Sequence, residues 1–319
     1  MPTLLKYKAD YRTLAFLATY YAMFIGCWFF LPFKWYYILT AEIFLCAINF
    51  MVAITIHNTV HCPIFYNKIF NKINFVMLSM AFGSPATGYV PGHNLSHHKH
   101  LGTPKDNTRS IKMRFKWNFL NQVLFFFVMI PGIIKTENKF VKEVGPSKPK
   151  WRNQYRLEIA MLWTWRVTWL IIDWKLFLIF LMVPNLFAVW GIFGTNYWQH
   201  DGCDESHPYN HSRNFKNKLF NFWVCNNGYH GAHHMRPAMH WSLYPDYHKR
   251  EITPYLHPNL DLNTLTAFCW KQYIWPGKRI DYLGNLVVLQ PAQKDEDWVA
   301  ETKQGKLKME AVDLGAEAN

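Results

Sequence analysis

The chain has 319 residues, of which 50% are hydrophobic and 18% aromatic, and its formal net charge is +13. This composition excludes an acidic disordered protein, a collagen-like chain and a small disulfide-stabilised scaffold. It does not decide between a soluble and a membrane protein, so the positions of the apolar residues must. The six cysteines form no CxxC pair, and we expect reduced thiols that face the cytosol or lipid.

Two long apolar segments near the start of the sequence predict a transmembrane hairpin. Residues 13–33 contain no charged side chain, and residues 35–56 contain only Glu42. Each segment is about 20 residues long, which is the length that an α-helix needs to cross a bilayer. The alternative is a buried helical hairpin in a soluble core, which is disfavoured because such helices keep a polar face over this length.

Three later apolar segments leave two topologies open. They are residues 117–134, 157–172 and 174–197. The basic loop 135–156 belongs on the cytoplasmic side, as does the basic N-terminus. The favoured topology therefore lays 117–134 along the interface and folds 157–172 and 174–197 into a second hairpin, although Arg166 is unfavourable in a span. In the alternative, 117–134 crosses the membrane and 157–172 lies flat.

The sequence thus predicts an all-α integral membrane protein with four transmembrane helices and a cytoplasmic helical cap. A single domain is expected over residues 1–293, with the cap formed by residues 57–116 and 198–293. Residues 294–319 are charged and contain a single aromatic residue, so we expect a flexible polar tail.

Nine of the fifteen histidines fall into four short motifs, all on the side predicted to be cytoplasmic. The motifs are His57-Asn-Thr-Val-His61, His93-Asn-Leu-Ser-His97-His98, Asn196-Tyr-Trp-Gln-His200 and His230-Gly-Ala-His233-His234. Histidines at i and i+4 of a helix share one face, so both imidazoles can reach one metal ion or two adjacent ions. Each motif alone is common in proteins that bind no metal. Their conjunction at span ends and within the cap predicts a metal site.

The number of histidines indicates two metal ions, because a zinc site takes only four ligands. Breaking an unactivated C–H bond needs a redox-active metal, and iron with O₂ supplies that chemistry where zinc does not. We therefore predict a di-iron centre that removes hydrogen from a methylene group of a lipid chain. Asp106, Asp201 and Asp204 are candidates for holding the imidazole tautomers, and ordinary loop capping is an equally good interpretation of them.

These motifs resemble those of the membrane fatty-acid desaturase family, which includes lipid and carotenoid hydroxylases and is related to the alkane hydroxylases. The resemblance covers residues of about 40–250, and the segment 200–230 is similar to a bacterial subgroup. It implies two irons, a contact of Asn196 with one iron through water, and no separate catalytic acid or base. The implied iron ligands are His57, His61, His93, His97, His98, His200, His230, His233 and His234.

The second motif departs from the plainest desaturase pattern. It has three residues between His93 and His97, where many desaturases have two, and His100 follows it. This stretch is also similar to the alkane-hydroxylase version, which leaves open whether the product is a double bond or an alcohol. We expect His100 to be exposed or to orient a ligand. The histidines outside the motifs are expected to be surface or structural residues: His207, His211, His240, His248 and His257.

The predicted function is that of a membrane oxidoreductase that uses O₂ and two external electrons to introduce a double or triple bond into a fatty acyl chain. The substrate is linked to lipid, CoA or a carrier protein, and the electron donor is a protein such as ferredoxin. The positive charge suits an acidic donor and anionic membrane lipid equally. A membrane alkyl or lipid hydroxylase is the alternative. A histidine-rich metal transporter is less favoured, because transporters bind their ions at mid-bilayer. Nucleic-acid binding is discarded.

Overall fold

The computed structural model describes residues 4–303 and is mostly helical, as the sequence predicts. Helices α1 (Tyr11–Phe30) and α2 (Trp35–His61) form the first predicted hairpin. The remaining long helices are α3 (Lys68–Phe82), α4 (a π-helix over Pro91–His97 that continues as His98–His100), α5 (Asn118–Glu143), α6 (Pro149–Ile172) and α7 (Trp174–His200). Shorter helices follow: α8 (Lys218–Trp223), α9 (His230–Met235), α10 (Tyr244–Tyr247), α11 (Leu265–Cys269) and α12 (Val299–Lys303).

The chain divides into two compact units. In the described part of the chain, the first unit contains residues up to Val90 together with Glu143–Ile192, and the second contains Pro91–Lys142 and the residues from Phe193 onward. The single domain predicted over residues 1–293 stays a prediction.

Helices α1, α2, α6 and α7 of the first unit share one apolar cluster. It contains Phe24 and Trp28 of α1, Leu45 of α2, Trp169 of α6 and Phe180 of α7. These residues lie close in sequence to the turns of both hairpins, so the two hairpins place their turns at the same end of this unit. The ring of Trp169 packs against Phe24 and Trp28, with centroid distances of 5.0 and 4.5 Å.

Among the described residues, four helices are long and apolar enough to cross a membrane, which agrees with the predicted number. They are Lys8–Phe30, Trp35–His61, Asn118–Glu143 and Trp174–His200. The third of these helices, Asn118–Glu143, is not a span in the favoured topology, in which residues 157–172 cross the membrane and residues 117–134 lie at the interface. Helix α6 carries Arg156, Glu158 and Arg166, which make it too polar to qualify by composition. The cytoplasmic orientation stays a prediction.

The charges of α6 have partners inside the first unit. The Arg166 guanidinium donates to the carbonyl of Gly83 at 2.6 Å. The Glu158 carboxylate is fully buried and accepts hydrogen bonds from Ser79, Thr87 and Gln154. A buried charge is tolerated when it is hydrogen-bonded in this way. Helix α6 therefore packs beside the apolar helices although its composition differs from theirs.

The core of the second unit joins α5 and the end of α7 to the C-terminal segment. Phe125, Met129, Tyr197 and Tyr273 are buried together. Burial of one such side chain contributes about 1.5–3 kcal/mol. A short parallel pairing of β1 (Asn214–Phe215) with β2 (Asp261–Leu262) holds the loops of this unit in register.

Residues 294–303 correct the expectation of a flexible tail from residue 294. Trp298 and Val299 are fully buried, and Asp295 accepts a hydrogen bond from Arg109 at 2.8 Å. The side chains of Lys105 and Glu301 form an ion pair. The segment is held because its acidic side chains meet basic residues of the second unit. The rest of the predicted tail, residues 304–319, lies outside the described residues.

Candidate metal centre

Seven of the nine predicted histidine ligands lie in the second unit, and the structure brings them together there. They come from three elements: His93, His97 and His98 from α4, His200 from the end of α7, and His230, His233 and His234 from α9. Four of the seven offer ring nitrogens that all lie within 4.8 Å of one another: His97, His200, His230 and His234.

The shape of the chain before α9 explains how the third motif reaches this position. Cys225 and Asn226 adopt left-handed backbone conformations, which turn the chain sharply after α8. A Cβ atom on Gly228 would lie 2.3 Å from the carbonyl oxygen of Phe215, so only glycine fits this close approach. The Gly231 amide then donates to Asn214 Oδ1 at 2.9 Å, which fixes the start of α9.

The distances between ring nitrogens fit shared metal ligation. His230 Nε2 lies 2.9 Å from His200 Nε2 and 3.1 Å from His234 Nε2. Two imidazole nitrogens bound at right angles to one ion, each about 2.1 Å from it, would be about 3.0 Å apart. His93 Nε2 and His98 Nε2 are likewise 3.1 Å apart.

The outer nitrogens of two of these imidazoles have acceptors that set the tautomer. His200 Nδ1 lies 3.0 Å from the carbonyl oxygen of His211, which can only accept, so this nitrogen carries the proton. His97 Nδ1 lies 3.1 Å from Asp106 Oδ2. In both rings the Nε2 lone pair is then directed into the cluster. His97 Nε2 is buried and has no hydrogen-bonding partner among the residues that the structure describes.

The electrostatics around His234 favour a neutral imidazole. Burial, followed by the neighbouring His98 and His230, holds the pKa of His234 well below its usual value. Burial alone would raise the pKa of the Asp106 carboxyl, but His97 and the hydrogen bonds from Thr108 together lower it. A neutral imidazole is the form that binds a metal ion, and an ionised carboxylate is the form that orients it.

Two of the predicted orienting aspartates have other partners in the described part of the chain. Asp201 accepts a hydrogen bond from Arg279 Nε at 2.8 Å rather than from an imidazole. Asp204 Oδ1 accepts from the Ser206 amide at 3.1 Å, so it caps a turn. Loop capping, the second interpretation of these aspartates, therefore describes Asp204, whereas Asp201 belongs to a buried ion pair.

The remaining candidates lie as follows. Asn196 is one turn before His200 on α7, and its side-chain amide donates to the Thr108 carbonyl at 3.3 Å. His100 is partly buried, with its Nε2 3.7 Å from a carboxylate oxygen of Glu301. A water-mediated contact of Asn196 with iron, and an orienting role for His100, stay predictions.

The first motif lies in the first unit, at the C-terminal end of α2. His57 is buried, and its Nδ1 lies 3.3 Å from Asn58 Oδ1. The ring centroids of His57 and His61 are 5.7 Å apart, as the i and i+4 spacing predicts. Metal binding by these two residues stays a prediction.

Sequence reasoning missed the residues that position His200. The Arg213 guanidinium donates to the carbonyls of Trp198 and Asp201, at 2.6 and 3.0 Å, and so satisfies the C-terminal end of α7. His211 was expected to be a surface or structural residue. It is buried, its ring centroid lies 5.4 Å from that of His234, and burial lowers its pKa to about 4. Both residues lie in the segment 200–230 that resembles the bacterial subgroup, but neither belongs to a histidine spacing motif, so spacing alone could not have identified their roles.

A cluster of converging imidazoles, in a helical protein with four helices long and apolar enough to cross a membrane, is typical of a membrane metalloprotein. The family model for fatty acid desaturases matches residues 33–261, which is well over half of the 319 residues and includes all nine predicted ligands. The chain therefore belongs to the fatty acid desaturase family, as the histidine motifs predict. Membership makes it an oxidoreductase of the desaturase or hydroxylase type that acts on fatty acyl lipid. No curated protein matches the chain.

Proposed function

We propose that this chain is a di-iron, O₂-dependent desaturase that introduces a double bond into a fatty acyl chain. The observation that carries the proposal is the convergence of seven imidazoles from three separate elements of the second unit. Four of them place nitrogens within 4.8 Å of one another. Family membership supports the reaction class.

The proposed iron ligands are the nine motif histidines, with Asn196 acting through water. His57 and His61 are included because their spacing puts both rings on one face of α2. When bound, the irons and O₂ supply an oxidant strong enough to break an unactivated C–H bond. Imidazole binds iron well, but it also binds zinc and copper, so the metal must be identified by measurement.

The chain's own residues hold the ligands in the binding form. Asp106 and the carbonyl of His211 keep protons on the outer nitrogens of His97 and His200, so these rings cannot turn their N–H groups inward. Burial of the cluster limits access of water, which strengthens the electrostatic interactions within it. The acyl chain must then be held so that one methylene group faces the site, since small misplacements change reactivity strongly.

The electrons are proposed to come from an external donor such as ferredoxin, and the acyl group to be carried by lipid, CoA or a carrier protein. The site is proposed to lie on the cytoplasmic side, where such donors are found. A triple bond would require the same first hydrogen abstraction on a substrate that already contains a double bond.

A hydroxylase is the second candidate function. The observation in its favour is the second motif, His93-Asn-Leu-Ser-His97-His98, which is similar to the alkane-hydroxylase pattern. Hydroxylation and desaturation share the first hydrogen abstraction and differ in whether oxygen or a second hydrogen follows. The product alone separates them.

The test is expression in a heterologous host, with mass spectrometry of the acyl chains and metal analysis of the purified protein. We expect new double bonds and two irons per chain from the wild type. His234→Ala should abolish the product, whereas His257→Ala should not, because His257 caps a turn through its Nδ1. New alcohols would establish the hydroxylase instead. Metal uptake by vesicles without any acyl product would establish the transporter.

A second variant tests the first motif separately. The four nitrogens of His97, His200, His230 and His234 lie within the second unit. We therefore expect the double substitution of His57 and His61 by alanine to lower the iron content from two per chain to about one, since a metal ion is commonly held by about four protein ligands. Iron content unchanged at two would remove His57 and His61 from the ligand set.

A further inference from the structure

Exposed aromatic side chains gather in the second unit where α5 begins. Trp275 is 75% exposed, Trp270 61% and Trp117 48%, and Ile274 lies between the first two. Residues 115–117 and 270–278, which carry these side chains, are called here the aromatic turn surface. A patch of exposed large apolar side chains marks a site of interaction with another surface.

The aromatic turn surface is held rigidly. The Trp117 indole donates to the carbonyl of Tyr273 at 3.1 Å, and the Asn118 amide donates to the carbonyl of Gly277 at 3.2 Å. The Asn121 side chain bonds both the amide and the carbonyl of Phe115, at 2.9 and 3.0 Å. The exposed rings therefore project from two turns that hydrogen bonds hold together.

The position of this surface along the chain indicates what covers it. It adjoins the first residue of α5, one of the helices long and apolar enough to cross a membrane. If α5 crosses the bilayer, its first residue lies at the membrane surface, and if α5 lies along the interface, its first residue lies there as well. The middle of α5 also exposes apolar side chains, among them Phe127 and Ile134. The surface is thus continuous with lipid in both topologies.

The charges on the surface select the kind of lipid. Lys116, Lys271 and Lys278 are exposed among the aromatic residues. Tryptophan prefers the headgroup level of a bilayer. Each lysine near an anionic membrane surface strengthens attachment about fivefold.

We propose that the aromatic turn surface is a membrane-interface anchor that seats the second unit in the headgroup region of an anionic bilayer. Of this surface, residues 115–117 lie within the stretch that the desaturase family model matches, and residues 270–278 lie outside it. The proposal does not depend on the metal or on the reaction.

The test is hydroxyl-radical footprinting of the full chain in lipid nanodiscs that hold one copy each, with oxidation of each residue read by mass spectrometry. Tyr255 is the internal reference, because it is 61% exposed and lies in another loop of the same unit. We expect Trp275 and Trp270 to be oxidised about fivefold more slowly than their exposure predicts relative to Tyr255, with stronger protection in phosphatidylglycerol than in phosphatidylcholine.

Oxidation of Trp275 at the rate its exposure predicts would overturn the proposal. Protection that occurs only in discs with two copies would overturn it too, since the occupant would then be a second copy of the chain. Protection that is equal in the two lipids would overturn the anionic selectivity. A Lys271→Glu, Lys278→Glu variant should lose the preference for phosphatidylglycerol while keeping the metal content and melting temperature of the wild type.

Discussion

Substitution of Asp106 by asparagine tests whether a hydrogen bond outside the imidazole cluster controls metal binding. Asp106 is fully buried, and its two oxygens face different donors. Oδ2 faces His97 Nδ1 at 3.1 Å, and Oδ1 faces the Thr108 amide at 2.8 Å. An asparagine has a single oxygen, so its NH₂ group must face one of these N–H groups.

The expected loss can be worked from this geometry. Leaving one buried N–H group without an acceptor costs about 1–3 kcal/mol. If the N–H group left without an acceptor is that of His97, the ring is free to turn or to change tautomer. Loss of such an orienting contact lowers metal affinity about 10–100-fold. That range corresponds to about 1.4–2.8 kcal/mol, which agrees with the cost of the missing acceptor.

The assay is anaerobic titration of the metal-free protein with ferrous iron against a competing chelator. Thermal unfolding of the metal-free protein shows how much of the change is a loss of stability. Asp204→Asn is the matched control, because Asp204 also follows a histidine motif but caps a turn through Ser206. An iron affinity of Asp106→Asn equal to that of the wild type would refute the idea that Asp106 orients His97 for binding.

Three further substitutions have expected outcomes. Burial, with the nearby Asp106 and Asp201, raises the pKa of Glu205 to about 8. The folded state therefore binds more protons than the unfolded state between about pH 4.5 and 8. The free energy of unfolding consequently falls as pH rises through this window. Glu205→Gln should therefore stabilise the protein at pH 9 and not at pH 4, by thermal unfolding. Arg279→Gln should lower the free energy of unfolding by about 3–5 kcal/mol in denaturant, because the substitution leaves the Asp201 carboxylate buried without its partner. Adding Asp201→Asn to this variant should restore part of the loss. Gly228→Ala should lower both melting temperature and iron content, since its Cβ would lie 2.3 Å from the Phe215 carbonyl; wild-type values for both would contradict this.

The histidines that the structure brings together could be predicted from the sequence because they are concentrated in short motifs. His230 lies three and four residues before His233 and His234 on one short helix, and His93 lies four residues before His97, so local spacing already places these pairs on common faces. The number of apolar helices follows for the same reason, since length and composition are local properties. The desaturase resemblance adds the reaction class, which spacing alone does not give.

The contacts that position these histidines could not be predicted in this way. Arg213 reaches back to the end of α7, and Arg279 reaches Asp201 from a distant part of the chain. Such partners depend on how the chain folds back on itself, which no local pattern encodes. Asp201 illustrates the difficulty. Its position directly after His200 suggested an imidazole as its hydrogen-bonding partner, whereas its partner is the guanidinium of Arg279.

The choice of the third span also depends on tertiary contacts that local composition does not encode. Composition selects α5, because α6 carries Arg166 and Glu158. Packing within the first unit nevertheless joins the second half of α6 to the first predicted hairpin through Trp169, and both charges find hydrogen-bonding partners. The cost of a charge in an apolar setting depends on whether it is paired, and hydropathy counts every charge as if it were not. Helix α6 can therefore be polar by composition and still belong to the apolar bundle, which is the arrangement that the favoured topology requires.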